Sequence, residues 1–260
     1  MRPAVMPAVF VGHGNPMNAI EDNPFSAAWR RLAASIPRPR AVLAISAHWY
    51  GVGGRVTAAE KPVTLHDFGG FPRALYEVEY PAPGSAQLAG RVTDLLAPAA
   101  IEPDADWGLD HGSWSVLVQM YPAADIPVVQ LSIDETLTPA QHFDLGQRLR
   151  PLREEGILIL GSGNVVHNLR LYAWDRHPVV PFDWAVRFDA WLRDALRERR
   201  FRDVIGYRSA GADAALAVPT PEHYLPLLYV LGACSEDEPV GLPVTGFEGG
   251  SVSMLAVRVG

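Results

Sequence analysis

The chain is poor in the residues that many binding and catalytic devices require. It has one cysteine, Cys234, in 260 residues. An internal disulfide and a thiolate metal cluster are therefore excluded, and a reducing compartment is expected. Any metal site must be built from His, Asp or Glu. No run of residues reaches the ~20 apolar positions of a membrane span. The stretch Met1-Arg2-Pro3-Ala4-Val5-Met6 lacks the long apolar segment of a secretory leader, so a cytoplasmic protein is expected. Long basic runs are absent, and 22 Lys+Arg against 29 Asp+Glu leave a net charge of −7. Nucleic acid and anionic membrane are poor partners for such a surface. Several motifs also fail. Gly161-Ser162-Gly163 follows an apolar run, but the Gly-x-Gly-x-x-Gly pattern is incomplete and no Walker lysine follows. It does not supply a Gly-x-Ser-x-Gly nucleophile elbow, and there is no His-Glu-x-x-His.

What is present reads as a globular α/β chain, with 48% hydrophobic and 20% charged residues and enough length for a sizeable core. Continuous apolar runs at 8–11, 41–46, 128–133 and 156–160 predict strands covered on both faces. Residues 56–58 and the alternating 75–80 are weaker strand candidates. Helices are expected after Asn23-Pro24, after Ser85, just beyond His111, after Thr138-Pro139, over 181–200, and from Thr220-Pro221, which sets His223 in a first turn. Residues 240–259 read as a hairpin turning at Gly249-Gly250. The expected fold is a single α/β domain over residues 1–260: a largely parallel, mixed central sheet flanked by helices, with the site at the carboxyl ends of its strands.

Eight histidines are present, and most single histidines carry no function. His142, on an expected solvated helix, and His177, on a polar turn, read as structural or idle. His66 lies in an aromatic, glycine-rich loop and is a candidate to line a site. His13, His48 and His167 each follow a buried strand, so one crevice can gather all three, with His223 arriving from a helix start. Gly12 and Gly14 would leave a metal room to approach the backbone beside His13. Neutral imidazoles at this density suit zinc or ferrous iron; the alternative is four independent capping histidines. His111, between Asp110 and Trp114, suits a supporting or proton-transfer role.

The stretches around these residues match a known family in order. Val11-Gly12-His13-Gly14-Asn15-Pro16-Met17, Ser46-Ala47-His48-Trp49, Leu109-Asp110-His111-Gly112-Ser113-Trp114, the run 161–168 ending His167-Asn168, and Glu222-His223-Tyr224-Leu225-Pro226 resemble the class III extradiol ring-cleavage dioxygenases, in the branch called 4,5-DOPA dioxygenase extradiol. His66-Asp67-Phe68-Gly69-Gly70-Phe71-Pro72 and Tyr80-Pro81-Ala82-Pro83-Gly84 fit that branch too, so the resemblance covers nearly the whole chain. It implies cleavage of a catechol ring beside its paired hydroxyls, with a small aromatic diol and dioxygen as partners. It also implies His13, His48 and His223 as metal ligands, His167 as acid–base and a possible fourth ligand, and His111 near the substrate. His223 stands where the broader class has a carboxylate, for which Glu222 is a residual candidate. Non-haem Fe(II) would support turnover, and Zn(II) also suits such a ligand set. Asn15, Met17, His66, Phe68 and Tyr224 are candidate lining residues. Two rival readings are a zinc hydrolase, which would turn over without oxygen, and a non-enzymatic relative, which would hold metal without turnover.

Overall fold

The first strand shows how the sheet is covered. Every residue of β1 (Ala8–Gly12) is buried. Ala8 and Phe10 face one apolar core while Val9 and Val11 face the other, as the two-residue period of an extended chain requires. The computed structural model describes residues 5–174 and 179–260; His177 lies outside them.

Six further strands, β2 (Ala41–Gly51), β3 (Gly54–Thr57), β4 (Ile101–Asp104), β5 (Val128–Asp134), β6 (Ile157–Gly163) and β7 (Val240–Val244), precede the small hairpin of β8 (Phe247–Glu248) and β9 (Val252–Ser253), and β10 (Ala256–Val259) follows it. The main sheet has the order β4-β3-β5-β2-β6-β1-β10-β7. Its centre, β5-β2-β6-β1, is parallel throughout, and β10 and β7 extend it antiparallel at one side. The mixed sheet thus agrees with the sequence expectation, and so does the turn at Gly249-Gly250.

The helices are α1 (Pro24–Ala34), α2 (Arg73–Tyr76), α3 (Ala86–Leu96), α4 (His111–Met120), α5 (Pro139–Leu149), α6 (Pro151–Glu154), α7 (Asp183–Arg197), α8 (Phe201–Ile205), α9 (Ala212–Ala217) and α10 (Leu225–Gly232). The apolar faces of α3, α5, α7 and α10 cover one side of the sheet. Trp29 and Leu32 of α1, with Trp114 and Leu117 of α4, cover the other. Each fully buried Leu, Ile or Val contributes about 1.5–3 kcal/mol, so two covered faces hold the strand ends in fixed positions. Among the described residues no helix is long and apolar enough to cross a membrane.

Four local expectations are corrected. Residues 75–80 do not form a strand: Pro72 instead caps the single-turn α2. β4 was not foreseen because Ile-Glu-Pro-Asp is polar and carries Pro103, which an edge strand tolerates. The helix expected from Thr220 begins only at Leu225, with Pro226 in its first turn, where the missing N–H costs nothing. His223 therefore sits in the turn before α10.

His142 is structural, as expected, but it is not solvated. It shares the buried face of α5 with Leu145, Gly146 and Leu149, and its Nδ1 lies 2.9 Å from the Tyr229 hydroxyl. Burial pulls its pKa down from the ordinary 6.5 to about 4. The unfolded chain thus binds this proton more readily, so the contribution is complete above about pH 6.5 and is lost as pH falls towards 4. The linkage amounts to about 3 kcal/mol. Replacing His142 with Asn is expected to flatten the pH dependence of denaturant unfolding between pH 6.5 and 4 by that order. In the wild type, the ring-proton NMR signal should titrate near 4.

Candidate active site

The parallel strands deliver their histidines to one end of the sheet. His13 follows β1, and its N–H donates to the carbonyl of Gly163 at the end of β6 (3.1 Å). His48 lies within β2 near its carboxyl end. His223 reaches the same point because Gly163 has no side chain. A Cβ there would lie 2.1 Å from the His223 carbonyl oxygen, and that oxygen accepts a bond from the Asn164 N–H (2.8 Å). The three ring centroids form a nearly equilateral triangle, with sides of 5.1, 5.3 and 5.1 Å.

The other nitrogen of each ring fixes where its lone pair points. Ser162 Oγ gives its only proton to the Gly112 carbonyl, so it must accept from His13 Nδ1, 2.9 Å away. His48 Nδ1 faces Asp67 Oδ2 at 3.3 Å, and His223 Nδ1 faces Glu222 Oε1 at 3.2 Å. In its neutral form each ring is left with a free lone pair on Nε2. Those of His13 and His48 face each other at 3.2 Å. That of His223 is buried without a hydrogen-bond partner among the described residues. Burial and the neighbouring imidazoles hold His13 and His223 well below the ordinary histidine pKa, so neither relieves the crowding by taking a proton. Nitrogen atoms of these three residues lie within 4.8 Å of one another. Neutral, convergent imidazoles with engaged far nitrogens are what a divalent transition metal binds.

His167 and His111 flank this point. His167 stacks on His223, with centroids 3.5 Å apart and planes at 8°. Burial lowers its pKa to about 4, so it is a free base at neutral pH. His111 opens α4 behind the cap Asp110, and its centroid is 3.9 Å from that of His48. Asp67 ties the two together: its Oδ1 accepts from both the backbone N–H and Nδ1 of His111, each at 2.9 Å. Burial alone would raise the Asp67 carboxyl, but its bonds to His111 and His48 outweigh this and hold it well below the ordinary range. Burial likewise would lower His48, but the Asp67 hydrogen bond and the charges of Asp110, Asp67 and Glu222 outweigh it and raise the ring above the ordinary value.

Above the histidines opens a cleft of about 330 Å³, walled by Phe68, Phe71, Tyr172 and Trp174, with Asn15 at one side. A larger cavity of about 640 Å³ opens beside Ala41 and Ile157, where β2 and β6 begin, and no histidine among the described residues lines it. Chemistry, not size, therefore selects the cleft.

Two lining expectations change. Tyr224 is wholly buried, packs on Tyr207 and donates its hydroxyl to the Val204 carbonyl (2.8 Å), so it belongs to the core. His66 stands behind the wall: its Nε2 donates to the Val78 carbonyl (3.0 Å), and its ring supports Phe68 edge-on. Phe68 and Asn15 do face the cleft, whereas Met17 lines an adjoining cavity. The space beside Gly12 and Gly14 is not available to a metal. A Cβ on Gly12 would strike Ser253 and Met254, and one on Gly14 would strike Glu248 and Met254. Asp67, Ser162, Tyr172 and Trp174 were not singled out from sequence, although Asp67 lies in the stretch that carries His66.

Residues 6–252 match the family described as the catalytic LigB subunit of aromatic ring-opening dioxygenase. The chain belongs to this family. Relatives within the dioxygenase group include the 4,5-DOPA dioxygenase extradiol of Escherichia coli (strain K12), 51% identical over 98% of this chain and 95% of that protein. The protein of the same name from Beta vulgaris is 41% identical over 94% of this chain and 92% of its own. The crystal structure of an uncharacterized protein from Escherichia coli K12 superposes with a TM-score of 0.86 at 47% identity, covering 98% of this chain and 100% of that one. Ring-opening dioxygenases of this family are metal-dependent and act on aromatic substrates with dioxygen. Neither the hydrolase nor the non-enzymatic alternative is favoured by these matches.

Replacing Asp67 with Asn keeps its size but removes an acceptor shared by two imidazoles. Metal affinity is expected to fall 10–100-fold, the range for losing such an orienting partner, with the far-UV spectrum unchanged. A chelator-competition titration measures this, and unchanged affinity would contradict the role given to Asp67.

Proposed function

We propose that this chain opens the ring of a DOPA-like catechol beside its paired hydroxyls, using dioxygen and ferrous iron held by His13, His48 and His223. The reading is carried by the three imidazole lone pairs aimed at one point, on the floor of an aromatic-walled cleft. The substrate class follows the names of the relatives. A ferrous ion bound there supplies Lewis acidity towards two adjacent hydroxyls and the redox capacity that zinc lacks, although zinc also suits an all-imidazole set.

The chain's own residues do the rest. Phe68, Phe71, Tyr172 and Trp174 flank the ring and exclude water. His167, neutral at physiological pH, takes the proton of one substrate hydroxyl and later returns it. His111 has its Nδ1–H fixed by Asp67, so its Nε2 is an acceptor that orients the diol. The carboxylates that balance the metal's charge stand one hydrogen bond behind the imidazoles, at Asp67 and Glu222, in place of a direct carboxylate ligand. A single buried cysteine suits work in a reducing compartment such as the cytoplasm.

The test is an oxygen-electrode assay of protein loaded anaerobically with Fe(II) and offered a panel of catechols including DOPA. Stoichiometric oxygen uptake with a ring-opened yellow product is expected. An iron-loaded sample that leaves the whole panel untouched would sink the proposal.

A further inference from the structure

A second cavity, of about 320 Å³, adjoins the cleft and shares Asn15 and Tyr172 with it as common wall. Its character is opposite to that of the aromatic cleft. Glu248, Glu21 and Asn18 line it, and no basic side chain does so among the described residues. Glu248 is held firmly. Its Oε2 accepts from the Asn15 backbone N–H and its Oε1 from Asn18 Nδ2, both at 2.7 Å. Asn18 is itself oriented by Asn23, whose Nδ2 donates to its carbonyl oxygen (2.6 Å). Gly14, at φ +58°, leaves the space the Glu248 carboxylate fills, since a Cβ there would lie 2.4 Å from its Oε2. A carboxylate can accept about four hydrogen bonds, so two directions remain for a ligand.

Resting on the catechol reading above, we infer that this cavity receives a positively charged aminoalkyl side chain of the substrate, with Glu248 as the partner of its ammonium group. The ring occupies the aromatic cleft, and the side chain crosses the shared wall by displacing the hydrogen bond between the side chains of Asn15 and Tyr172. The two cavities thus divide the substrate by chemistry: an apolar wall for the ring and an anionic end for the amine. Burial raises the Glu248 carboxyl to about 7, and among the described residues it gains a cationic partner only when an aminated substrate binds; that difference is the source of selectivity.

The experiment measures anaerobic dissociation constants of the metal-loaded protein for dopamine, N-acetyldopamine and 4-propylcatechol, with the wild type and Glu248→Gln. The wild type is expected to bind dopamine at least tenfold more tightly than the two uncharged probes. Glu248→Gln should erase that preference while changing 4-propylcatechol binding by less than threefold. Equal binding of all three by the wild type overturns the inference without use of the variant. A preference unchanged in Glu248→Gln overturns it too, and so does a uniform weakening towards all three probes. Oxygen uptake with 4-propylcatechol separates the two readings. Turnover without amine preference removes the subsite alone. Amine preference without turnover of any catechol removes the ring-cleavage reading and leaves the subsite.

Discussion

Alanine at His13 or His48 is expected to strip the protein of its metal and abolish ring cleavage. His13 is almost wholly buried, and its Nδ1 is committed to Ser162, so its Nε2 is the atom aimed at the proposed metal and its loss leaves two of the three imidazoles. His48 is likewise committed through Asp67. Losing a partner behind a ligand costs 10–100-fold in metal affinity, and losing the ligand itself must exceed that. Metal content after dialysis, read by elemental analysis beside oxygen uptake, measures both effects. Full metal stoichiometry in either variant would remove that residue from the ligand set.

His167→Ala separates two roles. As an acid–base group, its loss should lower kcat by about 10²–10⁴-fold while metal content and anaerobic catechol affinity stay within a few-fold of wild type. As a fourth ligand, its loss should empty the site. The geometry favours the first outcome. Lone pairs of two stacked, nearly parallel rings run side by side and do not meet, and the proposed triangle of His13, His48 and His223 closes without His167, whose ring nitrogen groups instead with Glu222 and His223. A neutral imidazole beside the ligands is placed to move a proton. Partial recovery of kcat on adding free imidazole would support the proton role further.

Much of this centre was legible in the sequence because buried parallel strands announce themselves. Apolar runs that stop close to a histidine place that histidine at the sheet's carboxyl edge, and this located His13 and His167, whereas His48 lies inside β2, which runs past the apolar stretch to Gly51. What stayed hidden depends on partners distant in sequence. Asp67 acquires its role only when the loop carrying it lies against the start of α4 and the end of β2. Tyr224 adjoins His223 in sequence, yet its side chain takes the opposite side of the turn into the core. The glycines beside His13 promise room, but the backbone of Ser253 and Met254 fills it at Gly12 and the side chains of Glu248 and Met254 fill it at Gly14. The polar neighbours of His142 point to a solvated helix face, although the 142, 145, 146, 149 stripe has the spacing of a buried one.

The three residues proposed as the ligand triangle come from the loop after β1, from β2 and from the turn that precedes α10. In the unfolded chain these positions are far apart and no such site exists. A cation that binds only the folded form therefore acts as a reversible cross-link between the beginning and the end of the polypeptide. It adds about 2.7 kcal/mol to stability when present at one hundred times its dissociation constant. The availability of the metal is thus expected to set the stability of the folded chain as well as its turnover.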